Sequence, residues 1–333
     1  MPRTKKCLIH LINPMENSDG GSEWRTIELY KHLKNVADVH LWASGTPHDD
    51  FADFPIRMIE DTKGAFPTGG TMVFIGCYKQ FGPWILKARS NRTVLIYNVL
   101  LPDMLARSLL YLSSLESRIE MVYPSQMMQR AVGFPGVVQP SLIDLNKFSP
   151  VERTDEDTKP FIVGRLSRDT EAKHFMPDES LYNELTRNGC SIKLMGGTLW
   201  SAQLGNNPNI ELIPTLAEPP EQFIQSLGCF YYRTHENWLE PSGRVITEAM
   251  ACGVPVVAHE KGGYSEWIDH GRDGFLFSTQ RQALQYILDL KNDPALRQQI
   301  GQAAREKALE IFSQDERDKV TDFYLSQSLQ SSD

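Results

Sequence analysis

Residues 240–257 read EPSGRVITEAMACGVPVV and carry two carboxylates eight positions apart, Glu240 and Glu248. Pro241 and Gly243 break regularity after the first acid, and VITEAMA then has helical composition. FYYRTHENWL before the block has the character of a strand and loop, and VPVVAHE after it is an apolar run of strand type. Strand, loop, helix, strand is the repeating unit of a parallel sheet.

The same rhythm extends outward in both directions. CLIHLI, DVHLWA, TMVFIGCY, TVLIYNV and EMVYPS read as strands in the first half, separated by helical patterns such as SEWRTIELYKHLK and PDMLARSLLYLSSLESRI. PFIVGRLS, SIKLMGG, NIELIPT, GCFYYRT, VPVVAHE and GFLFS continue it. Two such series predict an α/β chain of two doubly wound domains with parallel sheets. SLIDLNKFSPVERTDEDTKP (141–160) turns polar between Pro150 and Pro160 and reads as a linker. The expected division is therefore 1–150 and 151–310, with a helix in 311–333 returning to the first domain.

Composition agrees with this class. A chain of 333 residues holds about two domains, and 41% hydrophobic with 23% charged residues is globular and soluble in character. No apolar run reaches the roughly 20 residues of a membrane span. MPRTKKCLIHLINP has basic residues before an apolar segment but lacks a small-residue cleavage site, so a buried first strand is expected rather than a signal peptide. The 5 cysteines are scattered singly without a CxxC pair, which fits a reducing, cytoplasmic compartment. Residues 1–150 carry 16 Lys+Arg against 14 Asp+Glu (+2), and 151–333 carry 18 against 28 (−10), giving the net −8. An acidic second half argues against nucleic acid as a partner.

Ligands of open parallel sheets bind beyond the carboxyl ends of strands. Three loops there are candidates. In INPMENSDGGSEWRTIEL, Gly20 and Gly21 allow close approach to an anion, with Ser22 as a candidate helix cap; a simple flexible turn is the alternative. In FIVGRLSRDTEAKHF, Arg165, Arg168 and Lys173 follow a strand and suit a diphosphate, while a solvated loop paired through Asp169 and Glu171 is the alternative. In the opening block, Glu240 precedes a helix and Glu248 is expected about two turns inside it. Eight helical rises span roughly 12 Å, the reach from a sugar to a ribose across a diphosphate. Spacing alone leaves open a pair of surface acids.

EPSGRVITEAMACGVPVVAHEKGGYSEWIDHGRDGFLF resembles the signature region of glycosyltransferase family 4, the retaining GT-B group, at Glu240, Gly243, Glu248, Ala249, Met250, Ala251, Gly253, Pro255, Gly262, Gly263, Glu266 and Gly274. VGRLSRDTEAK is similar to its phosphate loop, DGGSEWRTIELYKHL to its opening Gly-Gly helix, and the segment ending DLNKFSP to its Asp-x-x-x-Phe-x-Pro.

The resemblance implies two Rossmann-like domains facing across a cleft and a hexosyltransferase. It would move a sugar from a UDP- or GDP-sugar to an acceptor hydroxyl in polysaccharide or glycolipid synthesis. It implies that Glu240 binds donor-sugar hydroxyls, that Ser242, Gly243 and Arg244 supply nearby amides, and that Glu248 holds the ribose. Arg165 and Lys173 would neutralise the diphosphate, with Gly21 closing over it. Val245 would pack under the nucleotide, and Gly196, Thr215 and Leu216 would border the base.

The sequence departs from the pattern in three places. Tyr97 and Asn98 stand where the family often has His, leaving Asn98 as the candidate sugar contact. Pro140-Ser141-Leu142 replaces an Asn-Gly, and the Arg165–Lys173 gap is long. No metal or other cofactor is expected; Asp155-Glu156-Asp157 is formally a DxD but falls in the linker. A nucleotide-sugar epimerase and a non-catalytic sugar-nucleotide scaffold are the rival readings. The acceptor is a sugar, lipid-linked or glycan hydroxyl. WILKARSNRT (84–93), with Lys87, Arg89 and Arg92, is a candidate edge for peripheral association with the inner face of a membrane, or an ordinary amphipathic helix.

Overall fold

The structure, a computed structural model, describes residues 6–76, 81–151 and 160–326. They divide into two units, Met1–Leu142 with Gln314–Asp333 and Ile143–Ser313.

In the first unit, β1 (Leu8–Asn13), β2 (Asp38–Ala43), β3 (Ile56–Met58), β4 (Thr71–Ile75), β5 (Arg92–Ile96), β6 (Ile119–Tyr123) and β7 (Gly136–Val138) form one sheet in the order β3-β2-β1-β4-β5-β6-β7. Every pairing is parallel. All residues of β4 and β5 are buried, which is why MVFI and VLI read as apolar runs rather than as alternation. The helices α1 (Gly21–Leu33), α2 (Pro102–Leu112) and α3 (Gln126–Val132) serve as crossovers. Gly20, not Ser22, is the N-cap of α1; the Ser22 hydroxyl donates instead to Glu23 Oε2 at 2.7 Å.

The second unit carries β8 (Phe161–Leu166), β9 (Cys190–Met195), β10 (Ile210–Ile213), β11 (Cys229–Tyr232), β12 (Val256–His259) and β13 (Phe275–Phe277) in the order β10-β9-β8-β11-β12-β13, again all parallel. Its helices are α4 (Glu179–Arg187), α5 (Ser201–Leu204), α6 (Pro220–Gln225), α7 (Arg244–Ala251), α8 (Gln280–Asn292) and α9 (Pro294–Ile311). Tyr182, Trp200, Tyr231 and Ile287 lie in one core with strand residues such as Ile192. Each such side chain contributes about 1.5–3 kcal/mol through the apolar surface it buries.

The block quoted above ends α7 by a specific hydrogen-bond pattern. Gly253 N–H donates to Met250 O (2.9 Å) and Val254 N–H to Ala249 O (3.1 Å), the two bonds of a Schellman stop. Pro255 then forbids continuation, and β12 begins.

Phe148 and Ser149 lie with the second unit, because their carbonyls accept from Arg305 (3.0 Å) and from Gln225 (2.8 Å). The final helix, α10 (Gln314–Leu325), lies with the first unit. Arg92 donates to Phe323 O at 2.6 Å, and Tyr324 OH to Gln139 Oε1 at 3.0 Å.

Segment 84–93 is not the amphipathic helix with three cations on one edge that its pattern allowed. Pro83–Leu86 is a short 3-10 turn with Trp84 and Ile85 buried. Lys87 pairs with Asp61 at 2.8 Å, and Arg92 opens β5, 3% exposed and bound to Glu120. Among the described residues no helix is long and apolar enough to cross a membrane. Asp155-Glu156-Asp157 lies outside the described residues.

Candidate active site

The order of the second sheet reverses between β8 and β11. In an open parallel sheet the crevice beyond such a reversal is where ligands bind, and β8 ends there in Arg165-Leu166 and β11 in Tyr231-Tyr232.

Arg165 is 1% exposed, with its guanidinium 4.8 Å from the Tyr232 ring centroid. Its two terminal nitrogens donate to the carbonyls of Arg233 and Lys173. A bidentate fork on a diphosphate is therefore not what Arg165 presents in this structure. It ties the loop after β8 to the end of β11, and its positive charge remains at the site.

That tie fixes Lys173, which ends a 3-10 turn and is buried. The Lys173 ammonium donates to Glu240 Oε2 and lies 5.2 Å from the Trp238 ring centroid. Glu240 Oε2 also accepts from Tyr232 OH at 3.1 Å and from Trp238 Nε1 at 3.4 Å. Burial by itself raises the Glu240 pKa, but the charge and hydrogen bond of Lys173, with the hydrogen bonds of Tyr232 and Trp238, hold the carboxyl below its usual range. Glu240 is thus an anion in a protein interior, with all of these donors on one oxygen.

The chain after Glu240 is held just as closely. Gly263 N–H donates to Glu240 O at 2.8 Å, so the Gly262-Gly263 turn braces the acid's own backbone. Gly243 caps α7 at φ 61 with no side-chain cap, and a Cβ there would sit 2.6 Å from the Tyr264 ring. Only glycine meets both demands. The start of α7, with Ser242, Gly243, Arg244 and Val245, thus directs partial positive charge beside Glu240.

Glu248 lies one turn inside α7, not two, because the helix starts at Arg244 and residues 240–243 are loop. The uniform helical rise assumed for the two acids does not apply. Glu248 is 5% exposed, with Oε1 2.9 Å from Arg244 Nε. Its carboxylate is engaged by a neighbour that the sequence reading counted only for its backbone.

The loops after β9 and β10 close the other flank. A Cβ on Gly196 would lie 1.8 Å from Ser167 O and 2.9 Å from Thr215 Oγ1, so the ends of β8, β9 and β10 converge at this glycine. His174 Nε2 bonds Gly196 O at 2.8 Å, and Trp200 Nε1 donates to His174 Nδ1 at 2.9 Å. The Trp200 donor makes Nδ1 the acceptor, which puts the ring proton on Nε2. Asp169 accepts from the backbone of Thr198 (3.0 Å) and Leu199 (3.1 Å). Leu216 is 38% exposed at φ 59.

Arg165, Lys173, Glu240, Ser242, Gly243, Arg244, Val245 and Glu248 thus flank the reversal, while Gly196, Thr215 and Leu216 lie along the neighbouring strand ends. Gly21 and Asn98 belong to the first unit. Gly21 opens α1 with nothing within 4 Å of a Cβ built on it. Asn98 Oδ1 accepts from Arg25 at 2.8 Å, and Arg25 also donates to Gln139 O at 2.7 Å. Tyr232, Trp238, His174 and Trp200 were missed by sequence reasoning, since each lies outside the signature motifs and its contact is set by how the loops fold. Among the described residues no group of three or more His, Cys, Asp or Glu is arranged to hold a metal ion.

Residues 197–307 match the family Glycosyl transferases group 1. The matched region begins at the Gly196-Gly197 turn and takes in the whole signature block. Spore coat protein SA of Bacillus subtilis (strain 168) is 35% identical over 79 residues, which are 23% of this chain and 21% of that protein. The capsular polysaccharide biosynthesis glycosyltransferase CapM of Staphylococcus aureus is 27% identical over 165 residues, 46% of this chain and 42% of CapM. The chain thus matches less than half the length of either relative. Anabaena HepE, solved in complex with UDP and glucose, superposes with a TM-score of 0.75 at 17% identity over 96% of this chain and 100% of that one. The fold is accordingly that of the GT-B glycosyltransferases, two Rossmann-like units with parallel sheets.

Proposed function

We propose that the chain is a retaining glycosyltransferase of family 4 that moves a sugar from a nucleotide diphosphate to an acceptor hydroxyl in polysaccharide or glycoconjugate synthesis. The observation that carries this reading is the buried Lys173–Glu240 pair at the reversal of the second sheet, beside the start of α7. A carboxylate held ionised accepts sugar hydroxyls, and cations next to a helix N-terminus suit a diphosphate leaving group. The matched family, the role printed for CapM and the UDP and glucose bound to HepE all support it.

In this scheme Glu240 Oε1 accepts a hydroxyl of the donor sugar. Lys173 and Arg165 offset charge on the diphosphate, Arg165 through its field rather than a fork. Glu248 takes the ribose hydroxyls once it parts from Arg244. Gly196, Thr215 and Leu216 border the base. The acceptor oxygen bonds to the anomeric carbon as the bond to phosphate breaks, and the departing phosphate takes the acceptor's proton. The charge work falls to these cations and the helix start, so the reaction proceeds without a metal cofactor. The acceptor is a sugar, lipid-linked or glycan hydroxyl, met in the cytoplasm.

Calorimetry tests the assignment. Glu248→Ala and Arg165→Ala are expected to weaken nucleotide diphosphate binding, and Glu240→Ala to spare it while abolishing the preference for the sugar-bearing form. Unchanged nucleotide affinity in both of the first two variants sinks the reading.

A further inference from the structure

We propose that Tyr232 and Trp238 are positioning residues that lock the Glu240 carboxylate by one oxygen, Oε2, so that Oε1 is offered to the donor as an acceptor-only group selecting a sugar hydroxyl. This rests on the nucleotide-sugar reading and adds two residues to it that lie outside the signature block.

Oε2 receives Lys173 Nζ, Tyr232 OH (3.1 Å) and Trp238 Nε1 (3.4 Å). Among the described residues no hydrogen bond to Oε1 accompanies them. One ammonium alone would leave the carboxylate free to turn about its last torsion, which is broad for Glu. Donors arriving from separate elements remove that freedom: Lys173 from the loop after β8, Tyr232 from β11, Trp238 from the loop before the acid.

Tyr232 is well suited to the task. Its ring is stacked on Phe230 (6.2 Å), set edge-on to Tyr264 (5.5 Å) and covered by the Arg165 guanidinium (4.8 Å). A donor fixed on three sides holds its acceptor with little reorganisation. Trp238 does double duty, donating from its indole N–H while its ring lies 5.2 Å from the same ammonium that binds Glu240. An ionised oxygen without a protein donor rewards a ligand O–H and penalises a ligand that lacks one.

Tyr232→Phe keeps the ring under Arg165 and removes only the hydroxyl; Trp238→Phe keeps an aromatic face and removes only the N–H. The full-length variants would be titrated with UDP, GDP, UDP-glucose, UDP-N-acetylglucosamine and GDP-mannose. The readout is the ratio of affinity for a nucleotide sugar to that for its bare nucleotide, followed against pH. Both variants should keep affinity for the bare nucleotide while that ratio falls roughly tenfold, the effect of one hydrogen bond to a charged group. The pH below which sugar preference is lost should also rise, since the carboxylate has lost a donor that favoured its anion. An unchanged ratio and pH profile in both variants overturns the proposal. So does a parallel loss of bare-nucleotide affinity, which marks general damage. A wild-type chain that binds none of these compounds, or a Glu240→Gln variant that keeps its sugar preference, refutes the parent reading and this inference with it. A preference lost in Glu240→Gln but kept in both new variants refutes the inference alone.

Discussion

His174 is 1% exposed, and burial, followed by the nearby charge of Arg165, lowers its pKa to about 4. At neutral pH the ring carries one proton, on Nε2 toward Gly196 O, and Nδ1 accepts from Trp200. A second proton on Nδ1 would meet the indole N–H head on. The unfolded chain protonates first, at about 6.5. This histidine's contribution to stability is therefore complete above that pH and is lost as pH falls from about 6.5 toward 4. His174→Gln should reduce the drop in urea-unfolding free energy between pH 7 and pH 5 by about 2 kcal/mol. His10 is likewise lowered to about 4 by burial and keeps its share of the pH dependence in that variant. An identical pH dependence in wild type and His174→Gln would show that the ring does not titrate as the Trp200 contact requires.

Among the elements, β5 and α10 are coupled through Arg92. Its Nε and one terminal nitrogen bind Glu120 on β6 at 2.8 and 2.7 Å, and the other donates to Phe323 O, with the Phe323 ring 4.6 Å from the guanidinium. Replacing Arg92 by Ala strands the carboxylate and frees the helix end. A fully buried pair broken this way loses about 3–5 kcal/mol, but the Glu120 side chain is 29% exposed and rehydrates, so about 2 kcal/mol is expected. Limited trypsin digestion should then cut near 313–319 faster than in wild type, and an unchanged digestion rate would rule out the coupling.

The same residue marks where sequence reading stops. Apolar runs such as that of β4 were legible because strands buried on both faces leave no alternation to decode. The edge strands β3 and β7 were not, being three residues each and partly exposed. Arg92 read as part of a cationic edge because Glu120 and Phe323 are far along the chain. The acids Glu240 and Glu248 were visible, yet their spacing was misjudged because Gly243 delays the helix. Tyr232 and Trp238 lie close before Glu240 in the chain, but that they donate to it is set by the path of the loop between β11 and α7, which no periodicity records.

On the scale of the whole molecule, most of the candidate donor residues, from Arg165 to Glu248, belong to the second unit, with Gly21 and Asn98 in the first, so binding should be felt unevenly. A ligand that binds only the folded state adds RT ln(1 + [L]/Kd), about 2.7 kcal/mol at a hundredfold excess over Kd. For a chain of this length that is a rise in Tm of a few degrees. Local protection should be confined further. Hydrogen exchange with saturating nucleotide diphosphate should slow in residues 165–175, 196–200, 213–217 and 240–251, where the loops after β8, β9 and β10 meet α7, while β1 to β7 keep their rates. In the scheme proposed above the charge on the ligand would be met by Lys173, Arg165 and the start of α7, none of which a chelator removes. Both the Tm rise and the exchange pattern should therefore persist in EDTA. Protection that vanishes with the chelator, or that appears mainly in the first unit, would move the diphosphate away from the Lys173–Glu240 pair and leave that buried ion pair as a device for folding alone.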